Sequence, residues 1–160
     1  MSARPQIAAM VILALGSNMG DREANLAAAR GELAGLGEIV RSSQVVETEP
    51  LLHPTEPTLN QGPFLNQVLL LRSSQSAESL LAECLGIETK LGRVREQAWG
   101  PRIIDIDLIA YDDLILRTPQ LELPHPWMHE RDFVLSPLVE IWPDWQHPVL
   151  GKTAAELLHG

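Results

Sequence analysis

The chain has 160 residues, of which 45% are hydrophobic and 21% charged, and its formal net charge is −9. This length and composition are typical of one globular domain with a sizeable core. The negative charge disfavours nucleic acid and anionic membranes as partners, so any phosphate binding must come from local basic clusters. Because Cys84 is the only cysteine, a disulfide framework and a thiolate metal cluster are excluded.

The N-terminal segment carries neither a membrane-spanning pattern nor a signal-peptide pattern. Its apolar run, residues 7–15, is too short to cross a bilayer, and only Arg4 precedes it as a basic residue. We therefore expect a cytoplasmic enzyme. We also expect one domain over residues 1–160, with a flexible N-terminal extension at residues 1–9.

The first half of the chain predicts a strand, a helix and two further strands. The strand covers residues 10–15, and Asp21 then offers an N-cap for a helix. Residues 38–47 and 64–72 predict the other strands. Between them, residues 48–63 are rich in proline, and a loop of this length is either a functional lid or a disordered insert.

The second half predicts a helix, a strand, a small hairpin and a short C-terminal helix. Ser76 is a plausible N-cap and Gly92 a plausible stop for the helix between them. The hairpin pairs residues 114–116 with residues 121–123. The order β-α-β-β-α-β matches a ferredoxin-like core, in which both helices lie on one face of an antiparallel sheet. We predict an α+β fold in which extra strands and the C-terminal segments extend or cover that core.

The stretch WGPRIIDIDLIAYDD, residues 99–113, contains the most informative pair of polar residues. Asp105 and Asp107 lie two apart in an apolar strand pattern, so both carboxylates should leave one face, roughly 6.6 Å apart. The opposite face is then filled by the alternating residues Ile104, Ile106, Leu108 and Ala110. Two like charges on an apolar strand favour a hard divalent cation, whereas the alternative is a solvated polar face.

A basic cluster precedes this strand. It consists of Lys90, Arg93, Arg95 and Arg102. A cluster of this kind is either a solvated charge run at a helix end or a phosphate site, and the neighbouring carboxylates favour a metal–nucleotide site. The spacing of His125 and His129 would suit zinc on a helix, but no cysteine or H-E-x-x-H arrangement supports that interpretation.

Four segments carry a resemblance to a known family. LALGSNMGDREANL, FLNQV, GRVREQAWGPRIIDIDLIAYDD and LPHPWMHERDFVLSPLVEI resemble 6-hydroxymethyl-7,8-dihydropterin pyrophosphokinases over about residues 12–143. The resemblance implies a ferredoxin-like core built into an α-β-α sandwich with a mainly antiparallel sheet. It also implies pyrophosphoryl transfer from ATP to a pterin alcohol, with release of AMP and with two Mg²⁺ ions, in folate biosynthesis.

The resemblance also implies roles for particular residues. Asp105 and Asp107 match the metal-binding pair, and together with Arg93 and Arg102 they match the catalytic set. The implied ATP-binding residues are Glu88, Arg93, Arg95, Arg102, Leu108, His125 and Arg131. The implied pterin-binding residues are Thr48, Leu51, Phe64, Asn66, Trp99 and Phe133. Guanidinium groups suit phosphate oxygens, and a flat pterin suits two aromatic faces.

Alternatives remain for several of these residues. Phe64 and Phe133 could be plain core residues, and Arg95 a solvated surface residue. The chain departs from the family pattern at Ala98, Gln120, Glu122 and Val46, and its loop at residues 50–64 is longer than usual.

Two other functions compete with the transferase interpretation. One is a metal-dependent hydrolase of phosphate esters, and the other is a non-catalytic ferredoxin-like binding module. If the transferase interpretation holds, we expect a monomer in which residues 48–63 and 93–101 close over the substrates.

Overall fold

The computed structural model describes residues 8–49, 63–92 and 103–160. Its first elements are β1 (Ala9–Ser17), α1 (Arg22–Leu33), β2 (Glu38–Ser42), β3 (Val46–Thr48) and β4 (Phe64–Ser73). They are followed by α2 (Ala77–Lys90), β5 (Asp105–Tyr111), β6 (Leu116–Arg117), β7 (Glu122–Leu123), α3 (Asp132–Ile141) and α4 (Ala154–His159). A short 3-10 turn, Met128–Glu130, precedes α3.

Within the described residues, the main sheet has the order β2-β4-β1-β5, and its strand pairs are antiparallel. The segment predicted as one interrupted strand forms β2 and β3, which pair with opposite ends of β4. The order and orientation are those of a ferredoxin-like β-α-β-β-α-β core. The predicted α+β class is therefore confirmed.

The two faces of the sheet bury two separate apolar clusters. Side chains alternate between the faces, so Leu13 and Ile106 join the cluster that contains residues of α1 and α2. Ile12, Val68 and Ile109 join the other cluster, which contains residues of α3 and α4. The result is the expected α-β-α sandwich, with β5 along one edge of the described sheet.

Both predicted N-caps are present. Asp21 Oδ1 accepts a hydrogen bond from the backbone N–H of Ala24 at 3.1 Å, and Ser76 Oγ accepts one from Ser79 N–H at 3.1 Å. Gly92 follows α2 with a φ of 100°, a conformation that side chains disfavour. Local side-chain chemistry therefore sets these helix ends as the sequence predicts.

The predicted alternation along β5 is wrong at its end. Leu13 pairs with Leu108, but Ile12 pairs with Ala110, so the register shifts by one residue at Ile109. This β-bulge turns Ala110 away from Ile106 and Leu108 and into the α3-side cluster. A strict period of two cannot reveal such a bulge, because the extra residue depends on the partner strand.

Arg22, the first residue of α1, connects the end of β3 to the start of β4. Its Nη2 lies 3.0 Å from Glu47 Oε2, and its Nη1 donates to the carbonyl oxygen of Pro63 at 2.9 Å. Both contacts are close to Thr48 and Phe64 along the chain, so Arg22 helps to place two of the predicted pterin-binding residues.

The remaining sequence predictions have mixed outcomes. The hairpin is present but short, since β6 and β7 pair through only two residues each. Strand β1 already begins at Ala9. Of the predicted lid segments, residues 48–63 and 93–101, only positions 48, 49 and 63 lie within the described residues. No helix in the described part of the chain is long and apolar enough to cross a membrane.

Candidate active site

Three strands bring an amide, a glycine and a carboxylate side by side. Gly16 of β1 pairs with Asn66 of β4 on one side and with Asp105 of β5 on the other. Directly paired residues in antiparallel strands project to the same face, here the face toward α3. Because Gly16 has no side chain, the side chains of Asn66 and Phe64 can lie close to the backbone of β1 at this point.

The neighbours of Gly16 require a small residue at this position. A Cβ atom added to Gly16 would lie 3.3 Å from Asn66 Oδ1 and 3.3 Å from Cδ1 of Phe64. These separations are tighter than ordinary van der Waals contact. The glycine therefore allows Phe64 and Asn66 to pack closely over β1.

Asn66 is held by a hydrogen bond to Thr48. Its side chain is buried, and its Nδ2 donates to Thr48 Oγ1 across the β3–β4 pair. Thr48 pairs directly with Phe64, so the structure brings these three predicted pterin-binding residues together. The bond uses one of the amide's donors and orients its remaining donor and its acceptor.

Asp105 and Asp107 lie on β5 with the spacing that the sequence predicts. They pair with Gly16 and Ala14 of β1, so both carboxylates project from the α3-side face of the sheet. Asp105 is half-buried and Asp107 is exposed. Both have interaction partners in the structure.

A cavity of about 430 Å³ opens beside β5, along the edge of the described sheet. That volume falls in the range of small-molecule sites. Its lining comes from α2, from β5 and from the segment around β7: Leu81, Leu85, Glu88, Asp105, Ile106, Asp107, Leu108, Gln120, Leu121, Glu122, His125 and Pro126. Within the described lining there are four carboxylates and no lysine or arginine.

His125 contributes a neutral imidazole to this cavity. Burial, reinforced by the positive charge of Arg131 and opposed by Glu122, lowers its pKa from 6.5 to about 4. Its backbone N–H donates to the carbonyl oxygen of Ile109 at 2.7 Å, and its Nδ1 accepts from Trp127 N–H at 3.2 Å. The ring proton therefore resides on Nε2, which is left as a hydrogen-bond donor.

Arg131 and Phe133 lie together at the start of α3. The Arg131 Cζ atom lies 5.7 Å from the centre of the Phe133 ring, within the range of a cation–π contact. Arg131 is not among the residues that line the cavity. Phe133 is half-buried and packs against the α3-side cluster. The structure thus places a predicted nucleotide-binding residue against a predicted pterin-binding one.

Glu88 and Leu108 border the cavity from the interior. Glu88, on α2, is only 4% exposed, and its Oε2 accepts a hydrogen bond from Ile106 N–H at 2.8 Å. Leu108 is buried in the cluster beneath α1 and α2. Burial, together with the negative charges of Glu88, Asp107 and Glu83, raises the pKa of the nearby Cys84 thiol to about 12. Cys84 is therefore a buried thiol at neutral pH.

Five predicted site residues lie outside the described residues. They are Leu51, Arg93, Arg95, Trp99 and Arg102. The predicted departures at Gln120 and Glu122 do line the cavity. Leu81, Leu85, Leu121 and Pro126 were not predicted for the site, because they reach it only through the packing of α2 and the β7 segment against β5.

The fold and the site define a ferredoxin-like α+β protein with a carboxylate pair beside a cavity of small-molecule size. A comparison with protein families matches residues 12–143 to 7,8-dihydro-6-hydroxymethylpterin-pyrophosphokinase. The chain belongs to this family, which confirms the resemblance carried by its four motifs.

Curated relatives with the same function in their names align with nearly the whole chain. The 2-amino-4-hydroxy-6-hydroxymethyldihydropteridine pyrophosphokinase of Aquifex aeolicus is 40% identical over 148 residues, covering 92% of this chain and 89% of the relative. The Synechocystis protein of the same name is 40% identical over 156 residues, covering 96% and 77%.

Among solved structures, the Plasmodium falciparum HPPK-DHPS in complex with pteroate gives a TM-score of 0.75 over 99% of this chain. The chain spans 43% of that longer protein and is 17% identical to it, so this likeness shows the fold alone.

Proposed function

We propose that this protein transfers a pyrophosphoryl group from ATP to the hydroxymethyl group of 6-hydroxymethyl-7,8-dihydropterin and releases AMP, as a step of tetrahydrofolate synthesis. Family membership supports this reaction. The structural observation that carries it is the paired row of Asn66, Gly16 and Asp105. The row sets a hydrogen-bonding amide and an anionic carboxylate on either side of a glycine.

The amide side of the row suits the pterin. A flat, polar heterocycle needs hydrogen-bond partners at its edge and apolar or aromatic surface at its faces. Asn66, fixed by Thr48, can serve the edge, while Phe64 and Phe133 both belong to the α3 side of the sheet. Leu51 and Trp99 complete the proposed pterin-binding set.

The carboxylate side of the row suits a cation bound to the triphosphate. Asp105 and Asp107 supply two oxygen donors from one strand face, and Mg²⁺ is typically held by one or two carboxylates plus substrate phosphates. No group of three metal-binding side chains occurs among the described residues, so phosphate oxygens and water would complete the shell. We propose two Mg²⁺ ions, which would supply neutralising charge during phosphoryl transfer.

The cavity beside β5 suits the nucleotide. Its described lining is acidic, so a triphosphate can bind there only together with cations, which the basic residues at positions 93–102 and Mg²⁺ would supply. We propose that Arg93, Arg95, Arg102, Leu108, His125 and Arg131 form the ATP side, while Glu88 borders the cavity from α2. In this arrangement His125 would donate its Nε2–H to the nucleotide and remain neutral above about pH 4.

In the proposed reaction the pterin lies on the Asn66 side of Gly16 and the triphosphate on the Asp105 side. The hydroxymethyl oxygen, directed from the Asn66 side, attacks the β-phosphorus of ATP, and the bond from that phosphorus to the α–β bridging oxygen breaks. AMP leaves, the pyrophosphoryl group stays on the pterin, and the alcohol proton is released. In this reaction Asp105, Asp107, Arg93 and Arg102 are the proposed catalytic residues, acting by position and charge.

We also propose that the protein acts as a single domain over residues 1–160, as a monomer, in the cytoplasm. Its net charge of −9 argues against nucleic acid and anionic membranes as partners.

Product analysis tests the reaction against its rivals. Purified protein is incubated with ATP and Mg²⁺, with and without the pterin alcohol, and the nucleotides are separated by chromatography. AMP that forms only with the pterin alcohol supports transfer, whereas AMP from ATP alone would show hydrolysis of phosphate esters. No AMP in either case, and no Mg²⁺-dependent binding of a non-hydrolysable ATP analogue, would indicate a non-catalytic module.

A further inference from the structure

We propose that Glu88 is a positioning residue for the carboxylate pair. Its buried carboxylate holds the backbone of β5 between Asp105 and Asp107, and it acts on bound cations through that strand. This inference rests on the proposed function only in treating the two aspartates as cation ligands. It gives Glu88 a different role from the direct nucleotide contact implied by the family resemblance.

The first observation is the hydrogen bond itself. Glu88 Oε2 accepts from Ile106 N–H at 2.8 Å, and this contact joins residues 18 apart in the chain. Ile106 is the residue between the two aspartates. The bonded N–H belongs to the peptide group that links Asp105 to Ile106, and this group is planar. Fixing it therefore constrains the backbone torsions on both sides, including that of Asp105.

The second observation is the position of β5 at the edge of the described sheet. β5 pairs with β1 on one side, and on the other side the cavity opens between β5, α2 and the β7 segment. An edge strand has backbone N–H groups that no neighbouring strand can satisfy. Glu88 satisfies one of them from α2, so the segment that carries the aspartates is held from both sides.

The third observation is burial. Glu88 is 4% exposed, and a carboxylate removed from water to this extent is stabilised only by good hydrogen-bond or charge partners. Exposed carboxylates elsewhere on α2, such as Glu83, are solvated by water and need no such partners. The burial places Glu88 in the interior, behind the strand, while the Asp105 and Asp107 side chains project from the α3-side face.

The proposed role separates from direct metal or nucleotide binding by chemistry. If Glu88 acts through its hydrogen bond, glutamine can replace it, because the amide oxygen accepts the same N–H. Aspartate cannot, because its carboxylate is one methylene too short to reach. If Glu88 acts as a direct anionic ligand, the aspartate variant should retain more function than the glutamine variant.

The experiment compares Glu88→Gln, Glu88→Asp and Glu88→Ala, with Glu83→Ala as the matched control on the same helix. Hydrogen exchange of the Ile106 amide, followed by NMR, reports the backbone bond. Mn²⁺ affinity in the presence of a non-hydrolysable ATP analogue reports the cation site. Thermal unfolding shows whether each variant is folded. If Glu88→Ala does not fold, the comparison of Glu88→Gln with Glu88→Asp still tests the proposal.

We expect Glu88→Ala and Glu88→Asp to exchange Ile106 faster and to bind Mn²⁺ roughly 10–100-fold more weakly, the usual effect of losing an outer-shell partner. Glu88→Gln and Glu83→Ala should keep both properties within about threefold of the wild type. Faster Ile106 exchange with unchanged Mn²⁺ affinity would overturn the proposal. So would weak Mn²⁺ binding by Glu88→Gln with Ile106 still protected. Neither result would alter the product analysis of the wild-type protein, so failure of this proposal is distinguishable from failure of the proposed function.

Discussion

On the α1–α2 side of the sheet, the strand ends contribute Leu15, Leu65 and Ile106, all buried in one apolar cluster. On the α3 side, the adjacent residues along the same strands are Gly16, Asn66 and Asp105. A shift of one residue along each strand thus separates core from site. The same strands therefore support both stability and chemistry, because one face packs against α1 and α2 and the other face carries the polar residues of the proposed site.

The comparison predicts that substitutions on the two faces have separable effects. Changes on the α1–α2 face should lower the free energy of unfolding and leave substrate affinity intact. Changes at the carboxylates of the α3-side face should alter kinetics and leave the free energy of unfolding nearly unchanged.

Leu13→Ala tests the core face. Leu13 is fully buried, so truncation should lower the free energy of unfolding by about 2–5 kcal/mol, as for other large-to-small core changes. Urea denaturation measures this loss, and steady-state kinetics on the folded protein should give unchanged KM values. A large change in either KM without a loss of stability would break the separation of the two faces.

Asp107→Ala tests the polar face. Asp107 is exposed, so the free energy of unfolding should change by less than about 0.5 kcal/mol. The kcat for AMP formation should fall roughly 10²–10³-fold, because charge stabilisation at the transferred group is lost. Asp113→Ala, at an exposed turn on the same segment, is the control. Wild-type kcat in Asp107→Ala at saturating Mg²⁺ would remove the aspartate from the catalytic set.

Gly16→Ala tests the close packing of Asn66 and Phe64 over the glycine. The added methyl group would lie 3.3 Å from atoms of both side chains and would displace these proposed pterin-binding residues. We expect the KM for the pterin alcohol to rise about tenfold, equivalent to about 1.4 kcal/mol, and the KM for ATP to change little.

Gly31→Ala provides the matched control for that substitution. Gly31 lies in α1, and a Cβ atom there would meet nothing within 4 Å. This variant should be more stable by up to about 1 kcal/mol, with unchanged kinetics. Equal KM values in Gly16→Ala and Gly31→Ala would show that the close packing over Gly16 has no role in pterin binding.

His125 gives the comparison a pH dependence. Burial lowers its pKa in the folded protein to about 4, from 6.5 as the ordinary value. Between these two pH values the imidazole therefore binds a proton in the unfolded chain but not in the folded protein. The stabilising contribution is complete above pH 6.5 and is progressively lost as the pH falls from 6.5 toward 4.

A His125→Gln variant isolates this contribution. Between about pH 7 and about pH 5, wild-type protein should lose more stability in urea denaturation than His125→Gln. His159→Gln, at an exposed position near the C-terminus, should behave like the wild type. Burial and the nearby His129 also lower the pKa of His147, and both variants retain that effect. Parallel pH profiles for wild type and His125→Gln would contradict the assignment.

Sequence alone predicts the parts of this molecule that depend on local chemistry. Asp21 and Ser76 cap their helices because each side-chain oxygen reaches a backbone N–H three residues on. Asp105 and Asp107 share a face because strand side chains alternate. These predictions need no knowledge of distant residues.

Features that depend on a partner segment escape sequence reasoning. Simple alternation assigns Ala110 to the wrong face, because the bulge opposite Ile12 and Leu13 depends on the register between β1 and β5. Likewise, the hydrogen bond from Ile106 N–H to Glu88 and the presence of Gln120 at the cavity arise from packing across the sheet edge. Apolar periodicity indicates which side of an element is buried, but it does not indicate which other element covers that side.

The central claim is that Asp105 and Asp107 hold the cations that accompany the triphosphate. Electron paramagnetic resonance with Mn²⁺ and a non-hydrolysable ATP analogue counts the bound ions directly. The wild type should bind about two Mn²⁺ ions per chain in the ternary complex. The Asp105→Asn/Asp107→Asn double variant, folded by thermal unfolding, should lose this stoichiometry. Unchanged Mn²⁺ stoichiometry and affinity in the double variant would contradict the account.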